Sequence, residues 1–225
     1  GDWIIQVFRQ VKQEGISIDY LDEGAMKAFI KVTHDEYERR VGEYFGTTIH
    51  GIFFDEISCF PKGVEGGMSW TDDFAEKFIQ IKGYDIRPKL PLLIYQGDPV
   101  QTAKLRYDYF EVVADLYHKA WFKTYYDWGE RTGIWVTGHT EEDMFNYVSQ
   151  GNYFRTMGQL QVPGTDNEYF RYGFPRTINW YKQKQISSTA HLYGRSRNMV
   201  EAMGGGGYIV PLEDYKFGTY MLGAY

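Results

Sequence analysis

Short apolar, β-branched or aromatic runs alternate along the chain with longer stretches of helical period, the signature of βα units around a parallel sheet. Gly15 to Tyr20 reads as a strand, and Asp22 to Gly42 as the helix after it, with Ala25, Phe29, Val32, Tyr37 and Val41 at inner positions. Ile49 to Phe54 is a near-continuous apolar run ending in Asp55-Glu56, which predicts a buried parallel strand with charge at its C-terminal end. Ser69 or Thr71 can cap a helix that closes near Gly83. Asp98 and Pro99 open a long one, continuous to Thr132, with Leu105, Tyr109, Val112, Val113, Leu116 and Ala120 on one face. Further strands are expected at Gly133 to Thr137, Met157 to Val162 and Asn198 to Met203, and further helices at Ile178 to Tyr193 and Asp214 to Gly223.

About five alternations fit either a doubly wound sheet or most of a (β/α)8 barrel. The barrel is favoured because acidic groups recur at the ends of several different strands, and in a barrel those ends converge on one face. The fold expected is therefore α/β: a partial (β/α)8 TIM-type barrel with parallel strands and outer helices. Residues 1–225 are taken as one catalytic-barrel segment, with early and last strands outside it. The start at Gly1-Asp2-Trp3, without a charged-then-apolar leader, adds to the expectation of a fragment of a larger multidomain chain.

Charge and composition narrow the partners. The net charge of −6 and the scattered Lys and Arg argue against nucleic acid, because phosphate neutralisation needs a basic surface. No apolar stretch approaches the roughly 20 residues of a membrane span. One cysteine, Cys59, excludes an intrachain disulfide framework and a cysteine-rich zinc site. With 20 Tyr, 15 Phe and 6 Trp, the aromatic content exceeds what the core needs, so part of it is expected to line a binding surface. Carbohydrate sites have that character, since aromatic faces stack on sugar C–H faces while carboxylates and amides bond the hydroxyls.

Candidate chemistry gathers at strand ends: Asp55 and Glu56, His139 with Glu141 and Glu142, Asp166 with Glu168, and Glu201. Glycoside hydrolysis needs two carboxyl groups flanking the scissile bond, one protonated to assist the leaving oxygen and one ionised to activate water or attack carbon. Any one of these acids alone could equally be a solvated loop residue or a helix cap. Glu201 stands apart, because an ionisable group inside Met199-Val200-Glu201-Ala202-Met203 is costly unless it meets a polar cavity or a partner. His191 suits a core or supporting role, and Trp70, Trp135 and Trp180 are candidate stacking platforms against a default of core packing. The glycine runs lack the lysine and helix that phosphate or dinucleotide binding requires, and there is no Gly-x-Ser-x-Gly or His-Glu-x-x-His.

Several of these segments, taken in order, resemble glycoside hydrolase family 106, the α-L-rhamnosidases. They are Gly51 to Glu56, Ser69-Trp70-Thr71, Lys82 to Pro91, Gln161 to Asp166, Ser188 to Gly194 and Val200-Glu201-Ala202. The similarity runs from about Tyr20 to the end. It implies a calcium-dependent, inverting hydrolase of terminal α-L-rhamnosyl linkages in oligosaccharides or polysaccharides, secreted or periplasmic, with additional β-rich domains. Carried over by position, Glu56 would be the general acid and Glu201 the general base. Glu168 would hold calcium or sugar hydroxyls, and Asp55, Trp70, His139, Glu142, Asp166 and His191 would contact substrate. The chain departs from the family pattern around Glu142 and in the loop from Phe60 to Met68. Two other readings remain: a retaining β-galactosidase-like barrel enzyme, and a sugar-binding barrel without catalysis.

Overall fold

The computed structural model describes residues 5–11, 18–60, 67–140, 150–167, 180–204 and 210–224. Helix α1 (Glu23–Val32) starts where the Asp22 carboxylate accepts the Gly24 N–H at 2.8 Å, and it buries Met26 and Ile30. The helix expected to reach Gly42 breaks at Thr33, whose hydroxyl donates back to the Phe29 carbonyl at 2.5 Å. Helix α2 (His34–Val41) resumes at once. The break sets His34 among Phe29, Tyr125 and Trp128, with ring centroids 5.3, 5.0 and 5.1 Å away. Of the first expected strand, Gly15 to Tyr20, residues 15–17 lie outside the described residues, and Ile18 to Tyr20 form a loop and turn leading into α1 rather than a strand.

Helix α3 (Phe74–Lys82) buries Phe74, Ala75 and Phe78. After the short α4 (Pro91–Ile94), α5 (Pro99–Tyr117) opens as its sequence requires, with Asp98 accepting the Gln101 N–H at 2.9 Å and Pro99 in the first turn. The chain stays helical to Thr132, but not as one α-helix: a π-helical stretch, His118–Lys123, precedes α6 (Thr124–Thr132). The wider turn re-phases the inner face, so that the adjacent Trp121 and Phe122 are both buried, at 3% and 0% exposure. A further correction concerns Met157 to Val162. Its first half closes a helix, α7 (Tyr153–Gln159), because the Asn152 side chain caps the Arg155 N–H at 3.2 Å and so starts the chain helical. Helices α8 (Trp180–Leu192) and α9 (Leu212–Ala224) complete the described set.

The strands are β1 (Gly51–Ile57), β2 (Trp135–Thr140), β3 (Gly164–Asn167) and β4 (Met199–Ala202). Among the described residues they form two parallel two-stranded sheets, β1 with β2 and β3 with β4. The sheets adjoin, since the Val162 N–H donates to the Val136 carbonyl at 3.3 Å just ahead of β3. Close approach depends on two glycines. A Cβ on Gly138 would lie 2.3 Å from the Phe54 carbonyl oxygen, and one on Gly164 would lie 2.2 Å from the Gly138 carbonyl oxygen. β1, β2 and β3 thus converge near Gly138, one residue before His139.

Beneath β1 and β2 lies an aromatic core. Phe54 meets Trp121, Phe122 and Tyr125 edge-on at 5.8, 6.0 and 5.8 Å, a favoured geometry for aromatic quadrupoles. The helical run from Pro99 to Thr132 therefore anchors the strands that carry the candidate site. No helix among the described residues is long and apolar enough to cross a membrane.

Candidate active site

At the C-terminal end of β1 the register slips: Phe54 pairs with Gly138 and Ile57 with Thr140, so Asp55 and Glu56 together face the single residue His139. This is a β-bulge, which bends the strand and re-aims side chains. Glu56 takes up the distortion with φ at +41°, a left-handed conformation costing a non-glycine residue roughly 1 to 2 kcal/mol. In a regular strand Asp55 and Glu56 would project from opposite faces.

His139 is 1% exposed and forms the floor of the site. Its Nε2 lies 2.9 Å from Glu201 Oε2 on β4 and 3.2 Å from Asp55 Oδ1 on β1. Its Nδ1 lies 3.2 Å from the Thr140 carbonyl oxygen, and the Phe53 ring sits 5.6 Å away. The two carboxylates are open to solvent, with side-chain exposures of 66% for Asp55 and 45% for Glu201. Asp166, 8% exposed, pairs in register with Glu201 across β3 and β4. Acidic groups from β1 and β4 thus meet an imidazole from β2, with the β3 acid Asp166 in register beside Glu201.

Of the residues singled out from sequence, the fold brings Asp55, His139 and Glu201 into contact, with Asp166 beside Glu201 and Glu56 in the same bulge as Asp55. Glu141, Glu142 and Glu168 lie outside the described residues, as does the side chain of Trp180. Trp70 is half-buried with its ring 4.5 Å from Phe74, and Trp135 is half-buried over Gly51. His191 is exposed in the last turn of α8. Cys59 is a buried filler whose thiol is pushed up to about 12, chiefly by burial, which removes it as a nucleophile near neutral pH. Sequence reasoning missed the bulge and with it the direct contact of Asp55 with His139. Two consecutive acids ending an apolar strand were its only trace.

One ligand atom from each of Asp55, His139 and Glu201 lies within 4.8 Å of the others. Calcium, however, takes six to eight oxygens, and a buried imidazole is a poor donor to so hard a cation. These three side chains alone do not make a calcium site.

Residues 10–216 match the family model of glycoside hydrolase family 106, described as α-L-rhamnosidase. The chain belongs to glycoside hydrolase family 106. A solved rhamnosidase structure from Novosphingobium sp. PP1Y superposes on this family member with a TM-score of 0.72 at 24% identity, covering 92% of this chain and 20% of that one. The likeness is one of fold. A protein provisionally named β-glucuronidase, from Formosa agariphila, is 23% identical over 188 residues, 81% of this chain and 14% of that protein. The family 106 chain thus spans a fifth or less of the length of these relatives.

Proposed function

We propose that this chain is the catalytic segment of a glycoside hydrolase, built as part of a (β/α)8 barrel, that removes terminal α-L-rhamnosyl groups. The observation that carries the proposal is the convergence of Asp55, His139 and Glu201 from three strands, with Asp166 on a fourth. Carboxyl groups on separate strands can flank a glycosidic bond, whereas solvated loop acids have no reason to share a buried imidazole.

In the reaction Glu201, as general base, takes a proton from water while the water oxygen bonds to the anomeric carbon. The glycosidic C–O bond breaks, and its oxygen receives a proton from a general acid on the β1 bulge, the position the family resemblance gives to Glu56. Inversion follows if water attacks from the face opposite the leaving group. A neutral deoxy sugar suits the site better than a uronate. A substrate carboxylate would meet Asp55 and Glu201 as like charges, which disfavours the activity named for the Formosa agariphila relative. Calcium would need oxygen donors other than this cluster, and Glu168 is the residue the resemblance supplies.

The test uses the full-length protein on aryl α-L-rhamnosides and aryl β-glucuronides, with and without chelator, with the first-formed anomer followed by NMR. The proposal expects hydrolysis of the rhamnoside with inverted configuration. Glucuronide hydrolysis alone would refute the substrate class, and a retained anomer would refute the water-attack mechanism.

A further inference from the structure

Resting on that reading of the site, we infer that His139 is a buried imidazolium that positions Glu201, rather than a neutral group contacting substrate. Both ring nitrogens face acceptors. A backbone carbonyl can only accept, so the 3.2 Å contact from Nδ1 to the Thr140 carbonyl oxygen requires a proton on Nδ1. An ionised carboxylate can only accept as well, so the contacts from Nε2 to Glu201 at 2.9 Å and Asp55 at 3.2 Å require a proton on Nε2. With both carboxylates ionised, a neutral imidazole, which carries one proton, would leave one of these contacts as two opposed lone pairs.

The surroundings supply the charge that a buried cation needs. Asp55 faces it from β1 and Glu201 from β4, Asp166 lies beside Glu201 on β3, and Glu56 shares the bulge with Asp55. The Phe53 ring, tilted at 55°, covers part of the imidazole. With both protons in place the ring has no lone pair for a metal. Its role is to fix the orientation of Glu201 through a charge-assisted hydrogen bond, so that water meets a base already aimed. The β1 bulge makes this possible by turning Asp55 toward the same nitrogen.

The test uses full-length protein labelled with [15N]histidine, read by magic-angle-spinning NMR at pH 7.5, where ordinary histidines are neutral. The signal lost in His139→Gln identifies the residue. An imidazolium pattern supports the proposal, and the paired Asp55→Asn, Glu201→Gln variant should return it to the neutral form. A neutral pattern in the wild type overturns it. In kinetics on an aryl rhamnoside, His139→Ala should lower kcat about 100-fold with KM within about 3-fold, the scale of a lost charged hydrogen bond. His139→Gln, which keeps one N–H donor, should recover at least about 10-fold of that loss. Wild-type kcat in a folded His139→Ala protein overturns the positioning role. If His139→Ala fails to fold, His139→Gln decides alone: kcat reduced at constant KM supports the proposal, and an unchanged kcat overturns it. A wild-type enzyme inert on all glycosides would remove the proposed function, while the NMR pattern would still decide the protonation.

Discussion

Replacing Gly138 with alanine should damage fold and site together. The new Cβ would sit 2.3 Å from the Phe54 carbonyl oxygen and 2.6 Å from the Phe54 ring. Ordinary contact starts near 3.5 Å, so β1 and β2 must part by about 1 Å or the strand must twist. Neither neighbour can yield easily. The carbonyl is backbone, and the ring is packed against Trp121, Phe122 and Tyr125. Overpacking of this kind costs about 1 to 3 kcal/mol, and a strained ladder bond adds about 1 more. For a segment of this size each kcal/mol moves the melting midpoint by roughly 2 to 4 °C, which predicts a fall of about 4 to 16 °C. Since His139 follows directly, kcat should fall at least about 10-fold as its contact with Asp55 is lost. Differential scanning fluorimetry and rhamnoside kinetics on the full-length protein measure both, with Gly204→Ala as control because among the described residues a Cβ there meets nothing within 4 Å. A Gly138→Ala protein melting within about 1 °C of wild type would refute the account of how β1 and β2 approach.

Three further outcomes follow from the packing. Burial holds the His34 pKa below its ordinary 6.5 against a smaller opposing effect of Asp35, and burial acts likewise on His118. Below about pH 6.5 the unfolded chain takes up protons that these folded groups refuse, so melting temperature should fall from pH 7 to 5, and His34→Gln should flatten the slope. Asp108, with 7% of its side chain exposed, accepts from the Tyr84 hydroxyl at 2.8 Å and pairs with Lys82 at 3.2 Å and with Lys104. Asp108→Ala leaves the largely buried Lys82 short of one partner and should cost about 2 to 3 kcal/mol by thermal melting, whereas an unchanged midpoint would make the network ornamental. Proline at the buried Val113 should break α5 at a cost of about 3 kcal/mol or more, seen as lost helical circular dichroism and a lower midpoint.

Local chemistry made parts of this fold legible in the sequence. Asp98-Pro99 and Gly133 mark the ends of the long helical run, and the apolar run into Asp55-Glu56 marks β1, because caps, prolines and period act within a few residues. The departures come from tertiary packing. The π-helical stretch exists because Trp121 and Phe122 both find room in the core, and nothing in their own sequence demands it. The break at Thr33 places His34 against Tyr125 and Trp128, about 90 residues away. Met157 to Val162 has the composition of a strand, but the cap at Asn152 commits its first half to a helix. At the site, the sequence supplied the right residue types at strand ends, whereas the pairing of His139 with Glu201 spans 62 residues and that of His139 with Asp55 depends on a bulge with no sequence mark beyond two adjacent acids.

The most direct test of the central claim is the turnover of an aryl α-L-rhamnoside by full-length Glu201→Gln protein whose melting temperature matches wild type. The swap keeps shape and one hydrogen-bonding oxygen toward His139 but removes the carboxylate that must take a proton from water. Loss of positioned base catalysis is worth about 100- to 10,000-fold in kcat, so turnover should drop by at least about 100-fold with KM little changed. Wild-type turnover in that variant would contradict the assignment of the Asp55, His139 and Glu201 cluster as the catalytic centre.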